Sequence, residues 1–104
     1  MIRAAEQQAV IDALLGERAY QDQKWNEDTT ASGGRHSPAE WLLYIEDYVR
    51  EAKQFTSRNP NPQADVFVLN AMRKIAAMAV ACQEQNGVYT RDIEGARPMG
   101  FSAT

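Results

Sequence analysis

The segment from Ser37 to Phe55 constrains the fold most, because it combines a helix start signal with a long apolar stripe. Ser37 can cap a helix, Pro38 fits the first helical position, and Glu40 completes a capping box. The apolar residues that follow recur at helical spacing: Trp41, Ile45, Tyr48, Ala52 and Phe55. Such a stripe indicates an amphipathic helix over about 38–56 that packs against the core on one side.

Two further helices are predicted, at about 2–23 and 62–86. The first is rich in alanine at helical spacing, and the third begins at Pro62 and ends before Gly87. Between Ile75 and Cys82 the third helix is apolar on all sides, and three helices of one chain are too few to surround it. We therefore expect an all-α fold whose three main helices form a helical bundle completed by homo-oligomerisation, through the second and third helices.

Two segments show no periodicity. Residues 26–36 are polar and contain a glycine pair, which predicts a loop. Residues 88–104 contain two glycines and one proline, which predicts an irregular C-terminal tail. With a length of 104 residues, the chain is expected to form a single domain over 1–104.

The composition narrows the classes of partner. The net charge is −3 and no basic run is present, which argues against a general nucleic-acid surface. The longest apolar run is too short to cross a bilayer, and the first residues lack the apolar core of a signal peptide, so no membrane partner is expected. Because Cys82 is the single cysteine, no internal disulfide can form and a reducing cytoplasm is expected.

Charged residues cluster on the second helix and in the middle of the third. Glu46 and Asp47 precede Arg50 by four and three residues, so both share a helix face with it. Arg73 and Lys74 precede the apolar run, and antiparallel packing of the two helices would bring Arg50 towards them. The cluster has two interpretations: ion pairs within a helix, worth roughly a few tenths of a kcal/mol each, or cations that bind phosphate.

Three segments of the chain carry a family resemblance: ERAYQDQKW, HSPAEWLLYIEDYVREA and RKIAAMAVAC. In order and composition they resemble the MazG-like all-α nucleotide pyrophosphohydrolases of the small bacterial and phage type. The resemblance extends over about residues 17–86 and implies an all-α scaffold with a nucleotide site.

The family holds magnesium through carboxylates on two helices, and the metal neutralises the triphosphate and activates a water. The family pattern is Glu-Glu-x-x-Glu on one helix and Glu-x-x-Asp on the next. On this chain the first pattern falls on Glu46, Asp47 and Arg50, and the second falls on Ala71 and Lys74. A site with cations in place of carboxylates repels a divalent metal, so no metal is expected; if one is present, Glu46 and Asp47 would hold it.

The departure from the family pattern predicts non-catalytic binding, or sequestration, of a phosphorylated nucleotide or nucleotide-derived signal. Cations would contact the phosphate directly, Trp25 would stack on a base, and His36 would make a polar contact. The predicted ligand-binding residues are Lys24, Trp25, His36, Glu46, Asp47, Arg50 and Lys74. If the chain is phage-encoded, it would act against host defence in the host cytoplasm by capturing an immune messenger.

Two other functions stay open. A magnesium-dependent nucleoside triphosphate pyrophosphohydrolase would use Glu46, Asp47 and Glu51 as catalytic residues, with Glu17 or Asp22 as further acids. A helical protein-interaction module would bind a protein and no nucleotide. The favoured hypothesis, sequestration of a nucleotide by an oligomer, implies two partners: a nucleotide-like small molecule and a second copy of the chain.

Overall fold

The computed structural model describes residues 2–26, 33–58, 62–91 and 97–99. It contains three α-helices, α1 (Ile2–Lys24), α2 (Pro38–Arg58) and α3 (Pro62–Asn86). Their bounds differ by at most two residues from the ranges that the sequence predicts. The all-α class with three main helices is therefore confirmed. Most of the predicted loop, 27–32, lies outside the described residues.

The start of α2 is fixed by the capping box that the sequence predicts. The Ser37 amide donates to Glu40 Oε1 at 2.9 Å, and the Glu40 amide donates to Ser37 Oγ at 3.2 Å. The hydrogen bond from the Ser37 amide, together with contacts to the Ser37 side chain and to His36, lowers the pKa of the Glu40 carboxyl. At the other end of the helical region, Gly87 ends α3 with a φ of 108°, which favours glycine.

Helix α3 is the central element, because it packs against both α1 and α2. The core cluster consists of Trp41 from α2 with Met78 and Ala81 from α3, all at most 3 % exposed. The other buried residues of α3 are small, which allows close approach of the helix axes: Ala64, Ala71 and Ala77. Within one chain the apolar run at 75–82 is not buried on every side, since Ala76 is exposed while the other seven residues are buried or half-buried.

An ionic and polar link fastens α1 to α3. Arg18 Nε donates to Glu84 Oε1 at 3.0 Å, and Arg18 Nη2 donates to Asp22 Oδ1 at 2.9 Å. Burial acts to lower the pKa of Arg18, but the hydrogen bonds and charges of Glu84 and Asp22 outweigh burial and raise it. Beside this link, Gln21 is 3 % exposed and donates to the carbonyl oxygen of Lys74 at 3.3 Å.

The segment before α2 is held against the ends of α1 and α3. Gln85 of α3 accepts hydrogen bonds from the His36 amide at 3.0 Å and from Trp41 Nε1 at 2.9 Å, and it donates to the Gly34 carbonyl oxygen at 2.8 Å. Gly34 has a φ of 79°, and a Cβ atom there would overlap the Trp25 carbonyl oxygen. Glycine at this position therefore lets the chain return closely over Trp25.

The prediction of an irregular tail is wrong at six of the described residues, which form two short strands. Strands β1 (Val88–Thr90) and β2 (Arg97–Met99) pair antiparallel, with Val88 opposite Met99 and Thr90 opposite Arg97. Each strand has three residues, which is too short to show an alternating pattern in the sequence. The rest of the predicted tail, 92–96 and 100–104, lies outside the described residues.

Several large apolar side chains remain exposed on α1 and α3. Every side chain described from 3 to 13 is exposed, including Val10 at 67 %. On α3, Leu69 and Met72 are 68 % and 57 % exposed and share a face with Ala76. Within the described ranges, no helix combines the length and the apolarity that a membrane span requires.

Candidate functional site

A cleft of about 330 Å³ opens where α1, α2 and α3 meet, and we call it the α1 cleft. Its polar lining carries three cations and one carboxylate: Lys24, Arg73, Lys74 and Glu17. Its remaining walls are three aromatic rings and one buried amide: Tyr20, Trp25, Tyr48 and Gln21. Cations beside aromatic rings are the combination that binds phosphate next to a base.

Lys24 lies close to two of the rings, at the C-terminal end of α1. Its ammonium nitrogen is 5.5 Å from the centroid of the Trp25 ring and 6.0 Å from that of Tyr20. Cation–π attraction at this distance holds the ammonium group beside the rings. Tyr20 and Lys24 are four residues apart, so they share one face of the helix.

Arg73 is held in a fixed orientation by two neighbours. Its Nε donates to Glu17 Oε1 at 2.8 Å, and the Glu17 side chain is only 9 % exposed. Its Nη1 donates to Asn70 Oδ1 at 2.5 Å. A guanidinium has five N–H donors, so these two bonds leave about three for a ligand. Glu17 thus fixes the arginine from α1 without using all of its donors.

Lys74 follows Arg73 on α3 and reaches the same cleft, with an exposed side chain. Among the described residues no carboxylate lies within ion-pair distance of its ammonium group. Its main chain is fixed by the hydrogen bond from the buried Gln21. Lys74 therefore places a positive charge at the cleft on a rigid backbone.

A second cleft, of about 270 Å³, adjoins the first, and we call it the α2 cleft. Tyr48, Arg73 and Lys74 line both clefts. The walls found in the α2 cleft alone are Glu51, Phe67, Asn70 and Ala71. The Phe67 ring stacks on Phe55, with centroids 4.2 Å apart and an interplanar angle of 12°.

The structure brings together three of the predicted ligand-binding residues, Lys24, Trp25 and Lys74, in the α1 cleft. Ala71 and Lys74, where the second family pattern falls, line the α2 cleft with Glu51. The carboxylate of α2 that faces these α3 positions is therefore Glu51.

Glu46, Asp47 and Arg50 line neither cleft. Arg50 pairs with Glu46 at 3.5 Å and with Asp47 at 3.7 Å, and all three side chains are at least 60 % exposed. The predicted approach of Arg50 to Arg73 and Lys74 is not seen, since the Arg50 side chain is 60 % exposed and lines neither of the clefts that those two cations share. The arrangement matches ion pairs within one helix, each of which contributes little to stability.

His36 also lies outside the two clefts. Its ring packs edge-to-face against Trp41 and Tyr44, with centroids 5.3 and 5.0 Å away. Its buried Nδ1 has no hydrogen-bond partner among the described residues, since the Glu40 carboxylate at 3.9 Å is beyond hydrogen-bond distance. His36 therefore packs the N-terminal end of α2.

Besides Glu17 and Ala71, six lining residues were not among the predicted ligand-binding or catalytic residues: Tyr20, Gln21, Tyr48, Phe67, Asn70 and Arg73. The spacing of Tyr20 to Lys24 is a signal that could have identified the first of them. The pairing of Arg73 with Glu17 joins positions 56 residues apart, so no local pattern indicates it.

The described residues contain no metal-binding group, and the chain matches no known protein. Across the described ranges, no group of three or more His, Cys, Asp or Glu side chains could hold a metal ion. No protein-family model matches the chain, and neither a curated protein nor a solved structure is significantly similar to it. The resemblance to MazG-like proteins therefore stays a prediction.

Proposed function

We propose that the chain binds a phosphorylated nucleotide, or a nucleotide-derived signal, in the α1 cleft without cleaving it. The observation that carries this proposal is the convergence of Lys24, Arg73 and Lys74 with three aromatic rings on one cleft. The phosphate would lie on Arg73 and Lys74, and the base would lie against Tyr20 and Trp25.

Both halves of such a ligand have a physical basis for binding. A hydrogen bond between a charged donor and phosphate contributes about 1.5–3 kcal/mol, and a base stacked on an aromatic ring contributes about 1–3 kcal/mol. The guanidinium of Arg73 is already oriented by Glu17 and Asn70, so little side-chain entropy is lost when it binds.

The charges in the cleft favour direct binding of phosphate over magnesium-assisted cleavage. Hard divalent cations require several carboxylate or carbonyl oxygens. Among the described residues each cleft is lined by a single carboxylate, Glu17 in one and Glu51 in the other. Glu17 is already paired with Arg73. The resemblance to MazG-like proteins supports the nucleotide class of ligand.

The test is a retention assay with excess protein against a panel of linear and cyclic nucleotides, run with magnesium and with EDTA. We expect intact nucleotide to be retained in EDTA, because the cations contact phosphate without a metal. Monophosphate and pyrophosphate formed only with magnesium would instead establish a pyrophosphohydrolase. If the protein neither retains nor converts any nucleotide of the panel, the proposal is contradicted and a protein-interaction module is favoured.

We also propose that a second copy of the chain covers the exposed apolar faces. A short helix segment with no packed side is marginally stable in water, yet α1 is helical through residues 3–13, where every described side chain is exposed. Leu69 and Met72 on α3 present further exposed apolar surface. A second copy would bury these faces and complete the bundle.

Light scattering after size exclusion measures the assembly. For the wild-type protein we expect a mass of at least twice the 11.7 kDa of one chain. For the double variant L69E/M72E we expect a mass closer to that of one chain, because association would bury two carboxylates. K53E is the control for charge, since Lys53 lies on an exposed face of α2. A wild-type protein that remains a single chain at all concentrations would contradict the proposal.

A further inference from the structure

The two clefts meet at the cations. Arg73, Lys74 and Tyr48 line both the α1 cleft, of about 330 Å³, and the α2 cleft, of about 270 Å³. An anion bound by Arg73 and Lys74 would therefore border both clefts. A nucleotide with a terminal phosphate would fill the α1 cleft and leave the α2 cleft without an occupant.

We infer that the ligand carries its phosphate or pyrophosphate internally, with a ring-bearing group on each side, as in a dinucleotide. This inference rests on the proposed function and names the class of nucleotide that the site takes. The phosphate would lie on Arg73 and Lys74, one base or sugar would lie in the α1 cleft, and the other would lie in the α2 cleft.

The walls of the α2 cleft suit a nucleoside. Phe67 supplies an apolar ring surface, Glu51 supplies a carboxylate that accepts hydrogen bonds, and Asn70 supplies an amide that donates and accepts. Apolar surface with a few polar groups is the usual lining of a small-molecule site. The carboxylate of Glu51 disfavours a second anionic group here but accepts hydrogen bonds from sugar hydroxyls or base N–H groups.

Matched ligands separate this inference from simple attraction of charge. Diadenosine and diguanosine pyrophosphate each carry less negative charge than the matching nucleoside diphosphate, yet each adds a second nucleoside. We call the dinucleoside pyrophosphate the two-headed ligand and the nucleoside diphosphate the one-headed ligand. In at least one pair we expect the two-headed ligand to bind about tenfold tighter or better than the one-headed ligand, which corresponds to about 1.4 kcal/mol. Calorimetry in EDTA measures both members of each pair.

Two variants test which cleft each nucleoside of the two-headed ligand occupies. Phe67→Leu keeps the apolar volume but removes the ring, so it should weaken the two-headed ligand several-fold and leave the diphosphate unchanged. Tyr20→Ala alters an exposed ring of the α1 cleft alone and should weaken both ligands. Circular dichroism confirms that each variant is folded.

Three results would contradict the inference in distinguishable ways. Equal binding of one-headed and two-headed ligands, both dependent on Lys74, would overturn the inference and leave the proposed function intact. A tighter two-headed ligand whose affinity does not depend on Phe67 would place the second head outside the α2 cleft and also overturn it. Binding of neither ligand would overturn the inference together with the proposed function.

Discussion

Replacing Lys74 with glutamate is expected to weaken nucleotide binding about 100-fold or more, equivalent to about 2.7 kcal/mol. Lys74 lines both clefts, so the change removes a cation and adds an anion beside the phosphate. A lost hydrogen bond to a charged group alone costs about 1.5–3 kcal/mol, and repulsion by the new carboxylate adds to this cost. Calorimetry in EDTA measures the change.

Lys74 is a better position for this test than Arg73. Removing Arg73 would leave the Glu17 carboxylate, 9 % exposed, without its partner and would destabilise the fold. The side chain of Lys74 is exposed, so Lys74→Glu should retain its melting temperature. A change at Lys74 should therefore weaken binding without lowering stability.

Lys53→Glu is the matched control, because it changes the net charge equally from an exposed position on α2 that lines neither cleft. At physiological salt, charges further apart than about 8 Å are largely screened, so this variant should bind within a few-fold of wild type. Arg50→Ala should behave similarly, since Arg50 pairs with Glu46 and Asp47. Equal losses in Lys74→Glu and Lys53→Glu would show that binding depends on overall charge and would remove the α1 cleft from consideration.

The helices could be predicted from the sequence because their signals are local. The capping box of Ser37 and Glu40, the proline at the start of α3 and Gly87 after it act within a few residues. The strand pairing in the tail joins residues up to eleven positions apart, Val88 and Met99, across very short strands. No local signal of comparable strength marks it.

The candidate site could be predicted only in part, because it depends on which side of α2 faces α3. Successive helix residues turn by about 100°. From the middle of the Trp41–Phe55 stripe, Glu51 lies about 80° away, whereas Glu46 lies about 140° and Arg50 about 180° away. The stripe thus contained the signal that favours Glu51, but a match to the family pattern placed the acids at Glu46 and Asp47.

The partners of Arg73 could not be predicted, for a different reason. Its contact with Glu17 depends on how α1 crosses α3, and that crossing is set by packing between distant parts of the chain. Lys24 and Trp25 could be placed from the sequence only through the family resemblance. The structure brings them to the same cleft as Lys74 independently of that resemblance.

Trp41→Ala is expected to have the largest effect on stability, a loss of about 3–5 kcal/mol. Trp41 is 3 % exposed and packs in the core with Met78 and Ala81. Its indole N–H donates to Gln85, which also holds the segment before α2 through Gly34. Domains have a free energy of unfolding of about 5–15 kcal/mol, so this loss would unfold a large share of the molecules on mild heating.

Urea unfolding followed by circular dichroism, at one protein concentration, separates the packing of Trp41 from its hydrogen bond. Trp41→Phe keeps most of the apolar burial and loses the bond to Gln85, so it should cost about 1–3 kcal/mol. Leu43→Ala removes an apolar side chain from the same helix at a position that is 61 % exposed, and it should cost less than about 0.5 kcal/mol. If Trp41→Ala cost no more than Leu43→Ala, the contact of α2 with α3 would not be the core of this fold. The α2 cleft between those two helices, and the α1 cleft that they form with α1, would then lose their structural basis as well.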